Sequence, residues 1–482
     1  MISSRLRADL LAGLTTSFAL VPECIAFALV AHLHPLMGLY GAIIICTVTA
    51  LFGGRPGMIS GAAGSMAVVV VALVVQHGAA YLLATVLLSG ALMLLFGLLR
   101  LGQLVRMVPH PVMLGFVNGL ALIIGKAQFE HFKQGEHWLG GQALLWMAGL
   151  VALTMAIVYV LPRFTRAVPP ALAAIVGVGL LTTWLEAPTR TLGDMAHIAG
   201  GLPDWSLPAV PWTLETLHII APYAALMALV GLMETLLTHN LTDEITQSQG
   251  DTNRECMALG VANMASGLAG GMGGCAMIGQ TMINLDSGGR GRLSGVVAGL
   301  MILMFVLFLS PVIERIPLAA LVGVMFVVAI ETFSWASLKQ LNKVPAHDVV
   351  VIAAVTVVTV LTDLATAVLC GIVIAALSFA WQHARELRAE HHLAPDGSKH
   401  YRLQGTLFFA SVTPFLQRFD PAADPSRAVL DCQHLSFVDH SAIEALRTLQ
   451  ARYARAGKRL EVVNLSQRCS VLLSRAGLRF ER

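Results

Sequence analysis

Charge is what this sequence has least of. Of its 482 residues only 12% are Asp, Glu, Lys or Arg, against 56% apolar, and the mean hydropathy is +0.74. Soluble domains carry about 25% charged residues, so a water-soluble enzyme or binding module is excluded for most of the chain. Cysteine is scarce and scattered: the seven residues at 24, 46, 256, 275, 370, 432 and 469 include no Cys-x-x-Cys pair. A disulfide framework and a zinc site are therefore not expected. The polar C-terminal part, from Tyr401 on, has no Gly-rich phosphate loop and no paired catalytic carboxylates, so neither an enzyme nor a cofactor is expected. The net charge of +3 is explained by topology rather than by nucleic acid. No cleavable signal peptide is expected either, because Arg5, Arg7 and Asp9 run directly into a full apolar span.

What is present is a series of long uncharged runs. Spans are predicted at Leu10–Ala31, Leu36–Gly53, Ala79–Leu99, Val108–Phe129, Leu144–Leu161, Val168–Leu185 and Leu217–Leu237. Further ones fall at Cys256–Gly270, Leu293–Val312, Leu318–Ile330, Val349–Leu361 and Leu364–Trp381. Placing the loops alternately puts most basic residues on one side. Lys126, Lys133, Arg190 and Arg315 are the exceptions. Positive loops stay in the cytoplasm, so a multi-pass protein with both termini cytoplasmic, in a bacterial inner membrane, is expected.

Two stretches interrupt this pattern in the same way. Pro56–Met66 and Gly270–Met282 each begin with a Gly-rich break and continue as a short extended run. Each then starts a helix, rich in small residues, that is too short to span. No Asp, Glu, Lys or Arg lies between Arg55 and Arg100, so the first break sits at membrane depth. Backbone freed from helical bonding is tolerated there only when buried in protein or lining a cavity. Such paired breaks mark transporter binding sites, and the positive ends of their half-helices suit an anion. Residues Ala63, Gly64 and Ser65 on one side, and Ala276, Met277, Ile278, Gly279 and Gln280 on the other, are the candidate ligand contacts. Small residues there would let N–H groups approach a ligand; they would equally permit close helix packing.

Acids within spans are the other signal. Glu23 follows Pro22 in mid-span, where a carboxylate costs several kcal/mol unless it faces protein or water or is protonated. It reads as a proton or substrate site, or as a neutral acid bonded to a neighbouring helix. Glu234 is also mid-span, with Thr238 one turn on, so carboxylate and hydroxyl share a helix face. Oxygen ligands of this kind suit a hard cation. Phe27 is a candidate pocket wall. Glu331 and Asp363 lie at span ends and read as structural. The pairs Gly115–Gly119 and Gly295–Gly299 are weak packing signals in a chain with 44 glycines.

The chain changes character after Trp381. Three parts are expected: a transporter domain over 1–385, a polar linker over 386–400, and a small α/β domain over 401–482. In the last, strands are predicted at Leu403–Phe409, Ala428–Leu430 and Leu460–Asn464, with helices at Ser441–Ala456 and Gln467–Ala476.

Several motifs in order resemble one family. They are Ala8-Asp9-Leu10-Leu11-Ala12-Gly13-Leu14-Thr15, Val21-Pro22-Glu23 and Ala26-Phe27-Ala28 in the first span. Asn253-Arg254-Glu255, Gly260-Val261-Ala262-Asn263, Ser266-Gly267 and Ser287-Gly288-Gly289-Arg290 follow. This pattern resembles the SulP (sulfate permease, solute carrier 26) family of anion transporters. The tail, with Val429-Leu430-Asp431 and Phe437-Val438-Asp439-His440-Ser441, resembles its STAS domain.

The resemblance implies a polytopic helical membrane protein of about 14 elements, arranged as two inverted seven-element repeats. Two half-helices would meet near the membrane centre, between a core and a gate part, followed by a small cytoplasmic α/β STAS domain. It implies alternating access and a homodimer. Many relatives carry Gln where Glu23 stands and Arg where Gln280 stands. In bicarbonate-transporting relatives the acid and Thr matching Glu234 and Thr238 form a sodium site. With acids at both 23 and 234 and no Arg at 280, proton-coupled symport of a dicarboxylate, bicarbonate or sulfate is expected, with Glu23, Glu234 and Thr238 as the cation-coupling residues. A sodium-coupled bicarbonate symporter and an uncoupled exchanger or channel are the alternatives.

Overall fold

The structure, a computed structural model, describes residues 4–102, 110–134, 137–165, 169–195, 200–339, 346–362, 364–385, 387–437, 439–467, 469–470 and 473. The chain divides into two compact units, Met1–Gly371 and Ile372–Arg482. Asp363 lies outside the described residues, as does most of the helix expected at Gln467–Ala476.

The first unit begins with α1 (Ser4–Val30), α2 (Pro35–Phe52), β1 (Ser60–Ala62), α3 (Gly64–His77) and α4 (Ala79–Leu98). It continues with α5 (His110–Gln128), the ribbon β2–β3 (Lys133–Gln134, His137–Trp138), α6 (Gly141–Val160) and α7 (Pro170–Trp184). Then come α8 (Leu214–Thr246), α9 (Thr252–Leu268), β4 (Gly274–Ala276) and α10 (Ile278–Asp286). The last are α11 (Arg292–Phe308), α12 (Ser310–Glu314), α13 (Leu318–Thr332), α14 (Trp335–Lys339) and α15 (Ala346–Leu361), after which α16 (Leu364–Arg385) runs on past residue 371. Among the described residues six of these helices are long and apolar enough to cross a membrane.

The helices sort into two groups. A core group, α1, α2, α4, α8, α9 and α11, encloses the half-helices α3 and α10. A gate group comprises α5, α6, α7, α13 and α15; the two groups touch where α1 meets α13 and α7, and where α3 meets α5. Glycine sets the spacing inside each group. A Cβ on Gly260 of α9 would sit 2.4 Å from Leu94 N of α4. The two GxxxG pairs, discounted in sequence, carry close contacts as well. A Cβ on Gly119 would lie 2.4 Å from Thr359 Cβ, and one on Gly299 2.2 Å from Thr47 Oγ1.

The two breaks are tied to each other. Strands β1 and β4 pair antiparallel, with Ser60 opposite Ala276 and Ala62 opposite Gly274. Asn263 of α9 holds Gly274 from both sides, its Nδ2 donating to Gly274 O and its Oδ1 accepting Gly274 N–H, each at 3.0 Å. This register requires glycine: a Cβ at position 274 would lie 1.9 Å from Gly61 O. Gly274→Ala therefore forces the strand pair apart. Detergent-solubilised variant is expected to aggregate on size exclusion where the parent is monodisperse, and an unchanged elution profile would refute the steric argument.

Helix α8 runs further than its apolar span, ending at Thr246 rather than Leu237. Of its polar last turns, Thr238, His239 and Thr242 are buried, and the two threonines return their hydroxyls to carbonyls one turn back, at 2.8 and 2.7 Å. Arg55, from the loop before β1, closes over them. Its guanidinium pairs with Asp243 at 3.1 Å and donates to Thr242 O, Thr246 and Ser248.

The second unit holds a four-stranded sheet in the order β5 (Arg388–Leu393), β6 (Lys399–Leu407), β7 (Arg427–Phe437), β8 (Arg459–Val463). Pairing is antiparallel for β5–β6 and parallel for the rest. Much of the segment expected to be linker is thus strand. Its charged, histidine-rich sequence hides the strand, and charge on an edge strand blocks further pairing. Helix α17 (Val412–Leu416) precedes β7, and α18 (His440–Arg455) packs its apolar face on the sheet. Asp439 caps α18, accepting Ala442 N–H at 3.0 Å.

One buried charge organises this unit. Asp424 is only 3% exposed. It accepts from Lys399 Nζ at 2.7 Å, from Tyr401 Oη at 2.7 Å, and from Tyr453 Oη. Burial alone would raise its pKa, but the Lys399 ammonium and the two phenols outweigh burial and hold it below the usual aspartate range. A depressed carboxyl stabilises the fold above its unfolded pKa, and that stability is lost as pH falls through the folded value. Asp424→Ala strands Lys399 and two buried phenols, at a cost of about 3–5 kcal/mol. The expected result is faster amide hydrogen exchange in β6 of the full-length variant at neutral pH. Unchanged protection there would show the cluster to be energetically idle.

Candidate functional site

The site grows out of the two crossing strands. Each leads straight into a half-helix, and each helix starts on an extended residue, Ala63 (φ −111°) for α3 and Met277 (φ −112°) for α10. Neither start has a side-chain cap among the described residues. The first bonds back to the cap residues come from Ala67 N and Thr281 N, both at 3.0 Å. The N–H groups of residues 64–66 and 278–280 therefore have no helical acceptor. On the α10 side Ile278 and Gly279 are exposed, whereas Gly64, Ser65 and Met66 are buried.

Both starts open on one cavity of ≈ 350 Å³. Its polar wall is formed by Glu23, Ala63, Gly64, Ser65, Glu234, Ala276, Met277, Ile278, Gly279 and Gln280. Phe27 and Met233 line it from the core group; Met113, Phe116, Val117, Leu120, Ile124, Val328, Glu331 and Thr332 line it from the gate group. No Lys, Arg or His is among these residues. Positive potential at the cavity comes from backbone dipoles, each helix start being equivalent to about half a unit charge.

The acids are individually held. Glu23 Oε2 accepts a hydrogen bond from Gln280 Nε2, joining α1 to the start of α10. Glu234 Oε2 accepts from Ser65 Oγ at 2.7 Å and Cys275 Sγ at 2.8 Å, so it ties both breaks to α8. The neighbouring Thr235 takes Ala276 N–H on its hydroxyl at 3.0 Å. Phe27 is 3% exposed and lies against Gly64, where a Cβ would meet its ring at 2.6 Å.

Thr238 is the candidate that the structure sets apart. It is fully buried and does not line the cavity; its hydroxyl lies 2.8 Å from Glu234 O and 3.5 Å from Ala276 O. Glu331 is the opposite case. Read as a structural span-end acid, it lines the cavity from the last turn of α13. Cys275, Thr235 and Asn263 had no signal of chemistry in sequence, since their roles depend on the β1–β4 crossing.

Comparison with known proteins agrees with this architecture. Residues 6–356 match the Sulfate permease family, and residues 393–481 match the STAS domain. The chain is 41% identical over 469 residues to YbaR of Bacillus subtilis, which is named for sulfate transport, covering 97% of this chain and 96% of that protein. It is 32% identical over 393 residues to the bicarbonate transporter BicA of Synechocystis, covering 77% and 69% respectively. The transmembrane domain of a cyanobacterial BicA superposes with a TM-score of 0.67 at 30% identity, over 76% of this chain and 98% of that one. The overall structure of SLC26A9 superposes with a TM-score of 0.84 over 98% of this chain and 86% of that one; at 18% identity it speaks to fold alone. These relatives are transporters and not enzymes. The chain belongs to the sulfate permease family of membrane anion transporters and ends in a STAS domain.

Proposed function

We propose that the protein is a secondary active transporter that carries a small oxyanion, bicarbonate or sulfate, together with protons. The anion sits between the starts of α3 and α10, on Ala63, Gly64, Ser65 and Ala276–Gln280, with Glu23 and Phe27 beside it. The core group moves against the gate group in alternating access. The protein works as a homodimer, in the bacterial inner membrane, with both termini cytoplasmic.

The observation that carries this reading is the charge balance of the cavity. Two helix starts supply roughly one positive unit, whereas Glu23, Glu234 and Glu331 line the same space and, among the described residues, no cationic side chain does. An arriving anion raises the deficit further. Proton uptake by the acids removes it without a fixed cation. Sodium fits less well, because one of the two groups bonded to Glu234 Oε2 is the Cys275 thiol, and a hard cation prefers oxygen. The names of YbaR and the BicA proteins put sulfate and bicarbonate ahead of the dicarboxylates.

The test is uptake by the purified full-length protein in liposomes, with labelled sulfate and bicarbonate supplied separately. An inward proton gradient is expected to drive accumulation without sodium. Accumulation that needs an inward sodium gradient and ignores pH would favour the sodium-coupled alternative. Flux seen only with anion on both sides would favour simple exchange.

A further inference from the structure

Of the three acids that line the cavity, one comes from the gate group. Glu331 occupies the last turn of α13, in the gate group, and lines the cavity with Val328 and Thr332. A helix end of this polarity disfavours negative charge. Among the described residues no hydrogen bond or ion pair reaches its carboxylate. Glu23 is anchored by Gln280, and Glu234 by Ser65 and Cys275. Glu331 is the cavity acid left without such a donor.

The groups that share its field are few. Glu23 on α1 lines the cavity with it. Glu234 on α8 faces the same cavity. No Lys, Arg or His lines it among the described residues. Glu23 belongs to the core group and Glu331 to the gate group, so any motion that narrows the cavity brings like charges together as water leaves. Repulsion grows as the local dielectric falls, and a proton on each carboxylate removes it.

We propose that Glu331 is a second proton-binding residue of the transport cycle, so that two protons, one on Glu23 and one on Glu331, travel with each anion and permit the cavity to close. This rests on the proton-coupled reading above and adds the stoichiometry and the second carrier. No new bond is made beyond carboxyl protonation: each proton enters from the acidic side and leaves to the alkaline side with the anion. For a singly charged anion the cycle moves one net positive charge, and for a doubly charged one it is electroneutral.

The experiment measures equilibrium accumulation in liposomes of the full-length protein, with the membrane potential clamped at zero and one pH unit across the bilayer. Each coupled proton contributes about a factor of ten, so the parent is expected to reach about 100-fold and Glu331→Gln about 10-fold. Glu331→Asp, which keeps a titratable group, should return toward the parent value. Glu331→Gln accumulating like the parent overturns the proposal. So does a parent that takes up one proton per anion, counted with a trapped pH dye, and that count stands even if the variant fails to fold. A parent indifferent to pH overturns the proton-coupled reading itself, and the proposal with it.

Discussion

Gly279→Leu is expected to abolish anion binding while leaving the protein folded and monodisperse in detergent. Position 279 is unusual among the glycines of the site. A Cβ on Gly64 would strike the Phe27 ring at 2.6 Å and one on Gly274 would strike backbone, but a Cβ on Gly279 meets nothing within 4 Å. The open space it points into is the cavity, which Gly279 lines. A leucine there costs little in packing, fills volume the anion needs, and shields the N–H groups at the start of α10. Those N–H groups and their dipole are worth up to about 2 kcal/mol to a partly buried anion. Their loss alone weakens binding by about 30-fold, before the steric block is counted. Ala63→Leu blocks the anion from the α3 side, with a packing cost that Gly279→Leu does not carry, because Ala63 is only 2% exposed. Titration of the purified variants with sulfate and bicarbonate, followed by calorimetry, reads the effect. Parent-like affinity in both would move the anion away from the breaks and leave them as packing features.

The breaks could be read from sequence because two strong signals coincide in them. Glycine-rich backbone and the absence of charge from Arg55 to Arg100 together demand a buried, non-helical segment in the first half, and the second break repeats the glycine-rich pattern. What the pattern does not contain is the pairing of Ser60 with Ala276, and with it the roles of Asn263, Thr235 and Cys275. Thr238 shows the limit of helical spacing. It shares a face with Glu234, yet its hydroxyl turns to the helix carbonyl one turn back, as threonines in helices commonly do. Glu331 shows the limit of position along a span. At a helix end an acid is cheap to hydrate, so its sequence context gives no reason to expect a cavity; only the packing of α13 beside α1 does. The end of α8 and the strand Arg388–Leu393 were hidden for the reverse reason. The first lies beyond the apolar span, where the Arg55–Asp243 pair closes over the helix, and the second is polar sequence that an edge position tolerates.

Glu23→Gln is expected to keep the anion and lose the proton. The side chain bonds Gln280 through Oε2, and a glutamine presents an amide oxygen of the same shape at that place, so the link between α1 and α10 survives. A neutral amide also removes a negative charge from beside the anion, so binding should hold or tighten. What disappears is the group that can carry a proton from one face to the other. Accumulation driven by one pH unit should therefore fall at least about tenfold, while exchange of labelled for unlabelled anion continues. The pH dependence follows in sign. If the anion binds beside a protonated Glu23, parent uptake declines as pH rises and the carboxyl empties, and the variant loses that decline. Combining it with Glu331→Gln should leave a carrier that equilibrates the anion and concentrates nothing. Undiminished proton-driven accumulation in Glu23→Gln would mean that the coupling proton rides elsewhere. Glu331 and Glu234 would then be the remaining cavity acids, and for Glu234 the bonds to Ser65 and Cys275 would have to break on each turn of the cycle.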